Sequence, residues 1–181
     1  MLLKFKNYFA LVLIVCGLTM SFNITSDFKN LENNIANHVS LKQVTCLAKN
    51  IFYEAGHESV EGKAAVARVV VNRMNHGFGS TPCQVIYQTT YVNSLEGKIK
   101  VCQFSWVCEG KGDPNTKDPR YVQSMDIAYD VLANNSYNDI LPKSALFFHN
   151  LSVTVDSSWP YRKIKQIGNH IFYSKKKTNG K

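Results

Sequence analysis

Apolar residues recur at helical spacing between residues 44 and 55. Val44, Leu47, Ala48, Ile51, Phe52 and Ala55 form one stripe on the i, i+3, i+4, i+7 pattern. Ser40 and Gln43 match a capping box just before it, and Gly56 is expected to end the helix in a left-handed conformation. A second helix is predicted over Val60–Asn75. Its residues 64–71 are almost continuously apolar, the mark of a helix buried all round, and Gly77 is its stop. Thr81-Pro82 predicts an N-cap with proline at the first helical position, opening a short helix to about Gln88. Residues 89–118 read as one turn-rich, irregular loop, and loops of that length are usually functional. Residues 120–134 form a third major helix with Val122, Met125, Ala128, Tyr129 and Leu132 on one face. Residues 145–149 predict a strand, and 163–174 a hairpin turning at Gly168-Asn169. Helices first and a small β piece late make an α+β fold. No internal repeat interrupts it.

The N-terminus changes the setting. Lys4 and Lys6 precede an apolar run from Leu11 to Leu18, and no further charge occurs before Asp27. Residues 1–22 therefore read as a signal peptide or signal anchor. The small-x-small pattern near residues 19–22 is poor, which leaves cleavage open. Cys16 hints at a lipoprotein site, but Val15 is the wrong residue before it. Residues 23–39 are polar and Asn-rich, a linker. Residues 175–181 are a basic tail. Export to the periplasm, wall or exterior is expected, with the leader as a contact to the inner membrane.

Composition then narrows the partners. With 45% apolar and 19% charged residues in 181, the chain is globular. A net charge of +8 favours anionic partners: nucleic acid, anionic lipid or the acidic polymers of a bacterial wall. Export argues against nucleic acid. Outside the leader stand Cys46, Cys83, Cys102 and Cys108, an even number that suggests two disulfides. Three pairings are open; Cys102–Cys108, which closes a small loop, with Cys46–Cys83 is the favoured one. A zinc site is disfavoured, since no Cys-x-x-Cys occurs.

The chemistry centres on Glu54. It lies at the edge of the first stripe, in the helix's last turn, facing the negative end of the helix dipole. That position and partial burial both raise a carboxyl pKa, toward the ~6–7 that suits a general acid. The plain alternative is a solvated surface Glu. His57-Glu58-Ser-Val-Glu61 misses the zinc-protease motif by its second histidine, so neither metal nor cofactor is expected. Tyr53, Tyr91, Phe104, Trp106, Trp159 and Tyr161, with Gln103, Ser105, His149 and Asn150, offer flat platforms and amides suited to sugar rings. For any one of these aromatics a core position is the simpler reading.

The run Cys46-Leu-Ala, Tyr53-Glu-Ala, Glu58, Glu61-Gly-x-x-Ala-Val-Ala and Asn72-Arg73 resembles the spore-cortex-lytic (SleB/CwlJ-type) cell-wall hydrolases. Pro82-Cys83-Gln, Cys102-Gln-Phe-Ser-Trp, Phe147-Phe-His149-Asn, Trp159 and Ile167-Gly-Asn-His170-Ile-Phe-Tyr173 continue the resemblance in order. It spans roughly residues 44–174, which makes 40–174 the expected catalytic domain. The resemblance implies a lysozyme-like fold and cleavage of the β-1,4 bond between N-acetylmuramic acid and N-acetylglucosamine. It also implies that Glu54 is the catalytic acid. Gln103, Phe104, Ser105, His149, Asn150, Trp159 and Tyr173 are the expected substrate contacts, with Glu58, Glu61 and His57 in support. The family usually reads Glu-Ala-Arg-Gly-Glu where this chain has Glu54-Ala-Gly-His-Glu58; His57 is the candidate to replace the missing Arg.

Glycoside hydrolases usually pair two carboxylates. Glu58 and Glu61 are candidates for the second, but bracing the corner or capping the second helix suits them better. One acid suffices for a lytic transglycosylase, in which the muramoyl C6 hydroxyl is the nucleophile. A muramidase and a noncatalytic wall-binding module are the rivals. A bacterial remodelling enzyme and a phage endolysin share this pattern. Peptidoglycan is the expected partner and a monomer the expected state.

Overall fold

A computed structural model describes residues 39–176, apart from 96 and 157. The leader, most of the linker and the end of the basic tail lie outside the described residues. Among the described residues there are five helices and two sheets: α1 (Leu41–Ala55), α2 (Val60–Asn75), α3 (Pro82–Ile86), β1 (Thr89–Ser94), β2 (Gly97–Cys102), α4 (Ser105–Cys108), α5 (Pro119–Ala133), β3 (Phe147–Asn150), β4 (Tyr161–Ile167) and β5 (His170–Lys175). The α+β expectation holds. No helix among the described residues is long and apolar enough to cross a membrane.

α2 organises the core because it is buried on every side. Ala64, Ala67 and Val70 pack with Val44, Leu47, Ile51, Ile127 and Val131 of the neighbouring helices. Ala65, Val66 and Val69 on its other side pack with Ile167 and Phe172 of the sheet. Small and β-branched residues let both neighbours approach closely. Gly77 ends the helix region at φ +78° as expected, and the Thr81 hydroxyl caps α3 by accepting from the Gln84 amide. Cys46–Cys83 ties α1 to α3, and Cys102–Cys108 ties β2 to α4.

The sheet order is β3-β5-β4, antiparallel, with β5 central. Asn72 Nδ2 donates to the carbonyls of Pro142 and Ala145, which fixes the approach to β3. The predicted hairpin is present, turning through Gly168 at φ +54°.

Four expectations are corrected. The Ser40 hydroxyl makes no cap; Gln43 is drawn instead to α3, where its Oε1 accepts the Cys83 amide (3.2 Å). Gly56 is right-handed (φ −57°, ψ −27°), and glycine is needed because a Cβ would lie 2.4 Å from the Phe52 carbonyl oxygen. The stretch 89–118 is not wholly irregular: its first half is the β1–β2 hairpin, paired from Thr89↔Cys102 to Ser94↔Gly97. Finally, α5 buries Tyr121, Ser124, Ile127, Ala128 and Val131, leaving Val122 and Tyr129 exposed. The buried Ser124 satisfies its hydroxyl on the Arg120 carbonyl (2.7 Å), so a polar residue sits in the apolar face and disguises it.

Candidate active site

Glu54 is the penultimate residue of α1, half-buried, on the wall of a cleft of about 460 Å³. Among the described residues no group hydrogen-bonds its carboxyl. Burial, and then the negative charge of Glu109, raise its pKa to about 7; Lys111 opposes them. Glu109 is itself held by Lys111 (2.9 Å). A half-protonated carboxyl at neutral pH, without a fixed partner, is equipped to give and to take a proton.

The opposite wall comes from β3 and the segment before β4. His149 Nδ1 faces the Asn150 carbonyl oxygen (2.8 Å), so it carries the proton and donates it there. Nε2 then accepts from the Tyr173 hydroxyl (2.7 Å). The His149 ring stacks on Tyr173 (centroids 5.1–5.2 Å from Trp159 and Tyr173, respectively), and Trp159 covers Tyr173 at 4.9 Å. The result is a partly open aromatic shelf.

The cleft floor holds an unexpected cation. Arg73, 1% exposed, donates from Nη1 to the Leu146 carbonyl (3.3 Å) and from Nη2 to the side-chain oxygens of Gln88 and Gln103. Its guanidinium lies 4.2 Å from the Phe78 ring centroid, and its Nε has no partner. Burial lowers its pKa to about 10, which still leaves a cation at neutral pH. Arg73 thus pins β3 and the base of the β1–β2 hairpin to α2.

A model of the cell wall hydrolase family matches residues 57–173, from the corner after α1 to β5. The chain belongs to that family. It is 28% identical over 141 residues to a spore cortex-lytic enzyme of Oceanobacillus iheyensis, an alignment covering 77% of this chain and 44% of that protein. The chain therefore spans under half the length of that curated relative. Its fold is similar to the catalytic domain of the germination-specific lytic transglycosylase SleB from Bacillus anthracis (TM-score 0.54, 24% identity, 76% of this chain, 98% of that one). The Bacillus cereus SleB catalytic domain is comparable (TM-score 0.53, 22% identity, 76% and 94%). The expected lysozyme-like fold is present.

Within this cell wall hydrolase, Gln103, Phe104, Ser105, His149, Asn150 and Trp159 line the cleft together with Glu54. Phe104 does so from a nearly buried position. Tyr173 stands behind the wall, buried, and reaches the cleft through His149. Trp106 is core: its Nε1 donates to the buried Asn50 Oδ1 (3.0 Å), and its ring stacks on Tyr53 at 4.9 Å. Tyr91 is exposed on β1.

The three supporting residues of the hydrolase point elsewhere. Glu58 accepts from the Asn169 amide (3.3 Å) and from Asn169 Nδ2 (3.0 Å), joining the corner to the β4–β5 turn. Glu61 is exposed, with Lys165 Nζ at 3.9 Å. His57 Nε2 accepts from Arg120 Nη1 (2.7 Å), and that arginine is paired with Asp118. His57 contacts the start of α5 and makes no hydrogen bond or ion pair with Glu54. No cluster of three metal-ligating side chains occurs among the described residues.

Arg73 and His170 line the cleft but were not singled out from the sequence. Both stand inside the motifs on which the resemblance rests, and that was the available signal. His170 is 2% exposed, with Nδ1 3.9 Å from Glu58 Oε1 and without a hydrogen bond. Burial lowers its pKa, the nearby Glu58 notwithstanding.

Proposed function

We propose that this cell wall hydrolase cleaves the β-1,4 bond between N-acetylmuramic acid and N-acetylglucosamine as a lytic transglycosylase, with Glu54 as its acid and base. One observation carries the reading: Glu54 is the one carboxylate lining the cleft among the described residues. Glu58 is committed to the Asn169 turn and Glu61 to the exterior. A hydrolysing pair would need a second carboxylate ~5–9.5 Å from the first, across the sugar.

The protonated Glu54 gives its proton to the glycosidic oxygen as the C1–O bond breaks. The muramoyl C6 hydroxyl then attacks C1 and returns a proton to the Glu54 carboxylate, closing a 1,6-anhydro ring. No water enters, and the acid is regenerated. The value of about 7 supports both halves of this cycle near neutrality. The setting is peptidoglycan outside the cytoplasm, where the +8 charge attracts the anionic wall and salt weakens that attraction.

The test is mass spectrometry of purified peptidoglycan digested by the disulfide-intact chain, beside Glu54→Gln. Anhydro-muropeptides from the wild type, and a loss of about 100-fold or more in the variant, are expected. Reducing ends would make it a muramidase, and binding without cleavage would leave a wall-binding module.

The same carboxyl ties activity to stability. Its folded pKa is raised, so the folded state holds the proton more tightly than the unfolded one. Its stabilising contribution is full below the ordinary value of 4.5 and is lost as pH rises through about 7. Glu54→Gln is expected to raise the melting temperature at pH 8, by an amount corresponding to roughly 1–3 kcal/mol, and to leave it nearly unchanged at pH 4.

A further inference from the structure

Beside the Glu54 cleft lies a second one of about 650 Å³, to which no role has been given. The two share Arg73, Gln103 and Phe147, so they meet at the buried guanidinium. The second cleft runs from there between the base of the β1–β2 hairpin, at Thr90 and Val101, and the β4–β5 sheet, at Tyr161 and Lys175.

Its chemistry is one-sided. No acidic residue lines it, whereas two cations do. Neither Arg73 nor Lys175 has a carboxylate within salt-bridge reach among the described residues. Each is seated on an aromatic face instead: the Arg73 guanidinium at 4.2 Å and Lys175 Nζ at 5.3 Å from the same Phe78 ring. Cation–π contact holds such groups in place without neutralising them. The remaining surface is apolar, amide or hydroxyl, as at Val101, Phe147, Gln88, Gln103, Thr90 and Tyr161. A ligand that fits is anionic through carboxylates, partly apolar, and linked to whatever occupies the first cleft.

The sugar rings themselves lack that charge, and a muramoyl unit stripped of its peptide keeps one lactyl carboxylate close to the ring. The peptide that hangs from the muramoyl lactyl group has it, and is covalently joined to the sugar beside the scissile bond. Resting on the peptidoglycan reading above, we propose that the second cleft holds this peptide stem, with the exposed Lys175 facing its carboxylates and the buried Arg73 charge acting on them from beneath. The enzyme then prefers glycan that still carries its peptides.

Two measurements test this. The first compares kcat/KM of the full chain on soluble glycan with stems intact and on the same glycan stripped by an amidase. A preference of about tenfold for stem-bearing chains is expected, the size of one or two charge-assisted contacts. Lys175→Glu should bring that ratio toward one. Equal rates on both substrates in the wild type, or an unchanged ratio in Lys175→Glu, overturn the proposal. The second measurement is independent of turnover: NMR titration of the Glu54→Gln chain with a free alanyl-glutamyl-diaminopimelate tripeptide. Shifts at the amides of Thr90, Val101 and Lys175, lost in a Lys175→Glu background, support the stem site. No shift overturns it, as does a shift produced by poly(glycerol phosphate) and not by the tripeptide. Should neither glycan be cleaved, the enzymatic reading fails while the titration still decides this one.

Discussion

Two antiparallel hairpins border the clefts, and they are ordered by different forces. In β4–β5, strand β5 is paired on both edges and buries His170, Phe172, Tyr173 and Ser174. Phe172 and Ile167 pack against α2, and Glu58 holds the turn from outside. In β1–β2 every described residue is exposed apart from the half-buried Cys102. Its order comes from its own ladder, from the Gln103 amide on the Gln88 carbonyl (2.9 Å) and from the Cys102–Cys108 bridge at its base. A lone two-stranded hairpin is marginal in water. One hairpin is thus stabilised by the core, the other by covalent closure, and mutations should separate the two.

The largest effect is expected at Phe172→Ala. It empties a fully buried site between sheet and α2, and should cost about 3–5 kcal/mol in denaturant unfolding. Gly168→Ala comes next. The residue sits at φ +54°, and a Cβ would lie 2.0 Å from Glu58 Oε2. Backbone strain and the displaced carboxylate together should cost about 2–4 kcal/mol, read as a fall of roughly 10 °C in melting temperature. An unchanged melt would mean that Glu58 does not set this turn. Replacing Cys102 and Cys108 with serine should act locally. Chain-entropy arithmetic for so short a loop gives about 2 kcal/mol, expressed in the opening of β1–β2. Hydrogen exchange should quicken at residues 89–102 and stay unchanged in β5. The smallest effect belongs to Ile99→Ala on the exposed hairpin, within about 0.5 kcal/mol. A larger value would reveal packing that β1–β2 does not otherwise show.

The same contrast explains what was legible in the sequence. Periodicity reports burial, so α1, α2 and the β4–β5 hairpin stood out, their apolar residues facing a core. β1–β2 has no buried face to report. The alternation Lys98, Ile99, Lys100, Val101 was its one signal, and it fell inside a stretch read as loop. In α5 the stripe was misplaced because Ser124 occupies a core position. At the site, the place of Glu54 on a helix edge is legible in the spacing, and the cleft gathers Gln103, Ser105, His149, Asn150 and Trp159 around it. Arg73 carries no such mark: arginines are mostly exposed, and helical spacing does not single out a buried one. Its burial depends on Leu146, Gln88 and Gln103, which only the fold brings to it. His57 shows the converse: the family's missing Arg makes it the candidate substitute in the sequence, and the helix corner turns it toward Arg120.

The shallow attachment of β1–β2 makes it an exchangeable cassette. Nothing in the interior leans on residues 90–101, so they are open to insertion, shortening or wholesale replacement while the acid and its helix stay where they are. Laboratory selection confined to that segment would vary what the outer cleft accepts without re-inventing the chemistry. A library there should hold a far higher share of folded members than one built across β5.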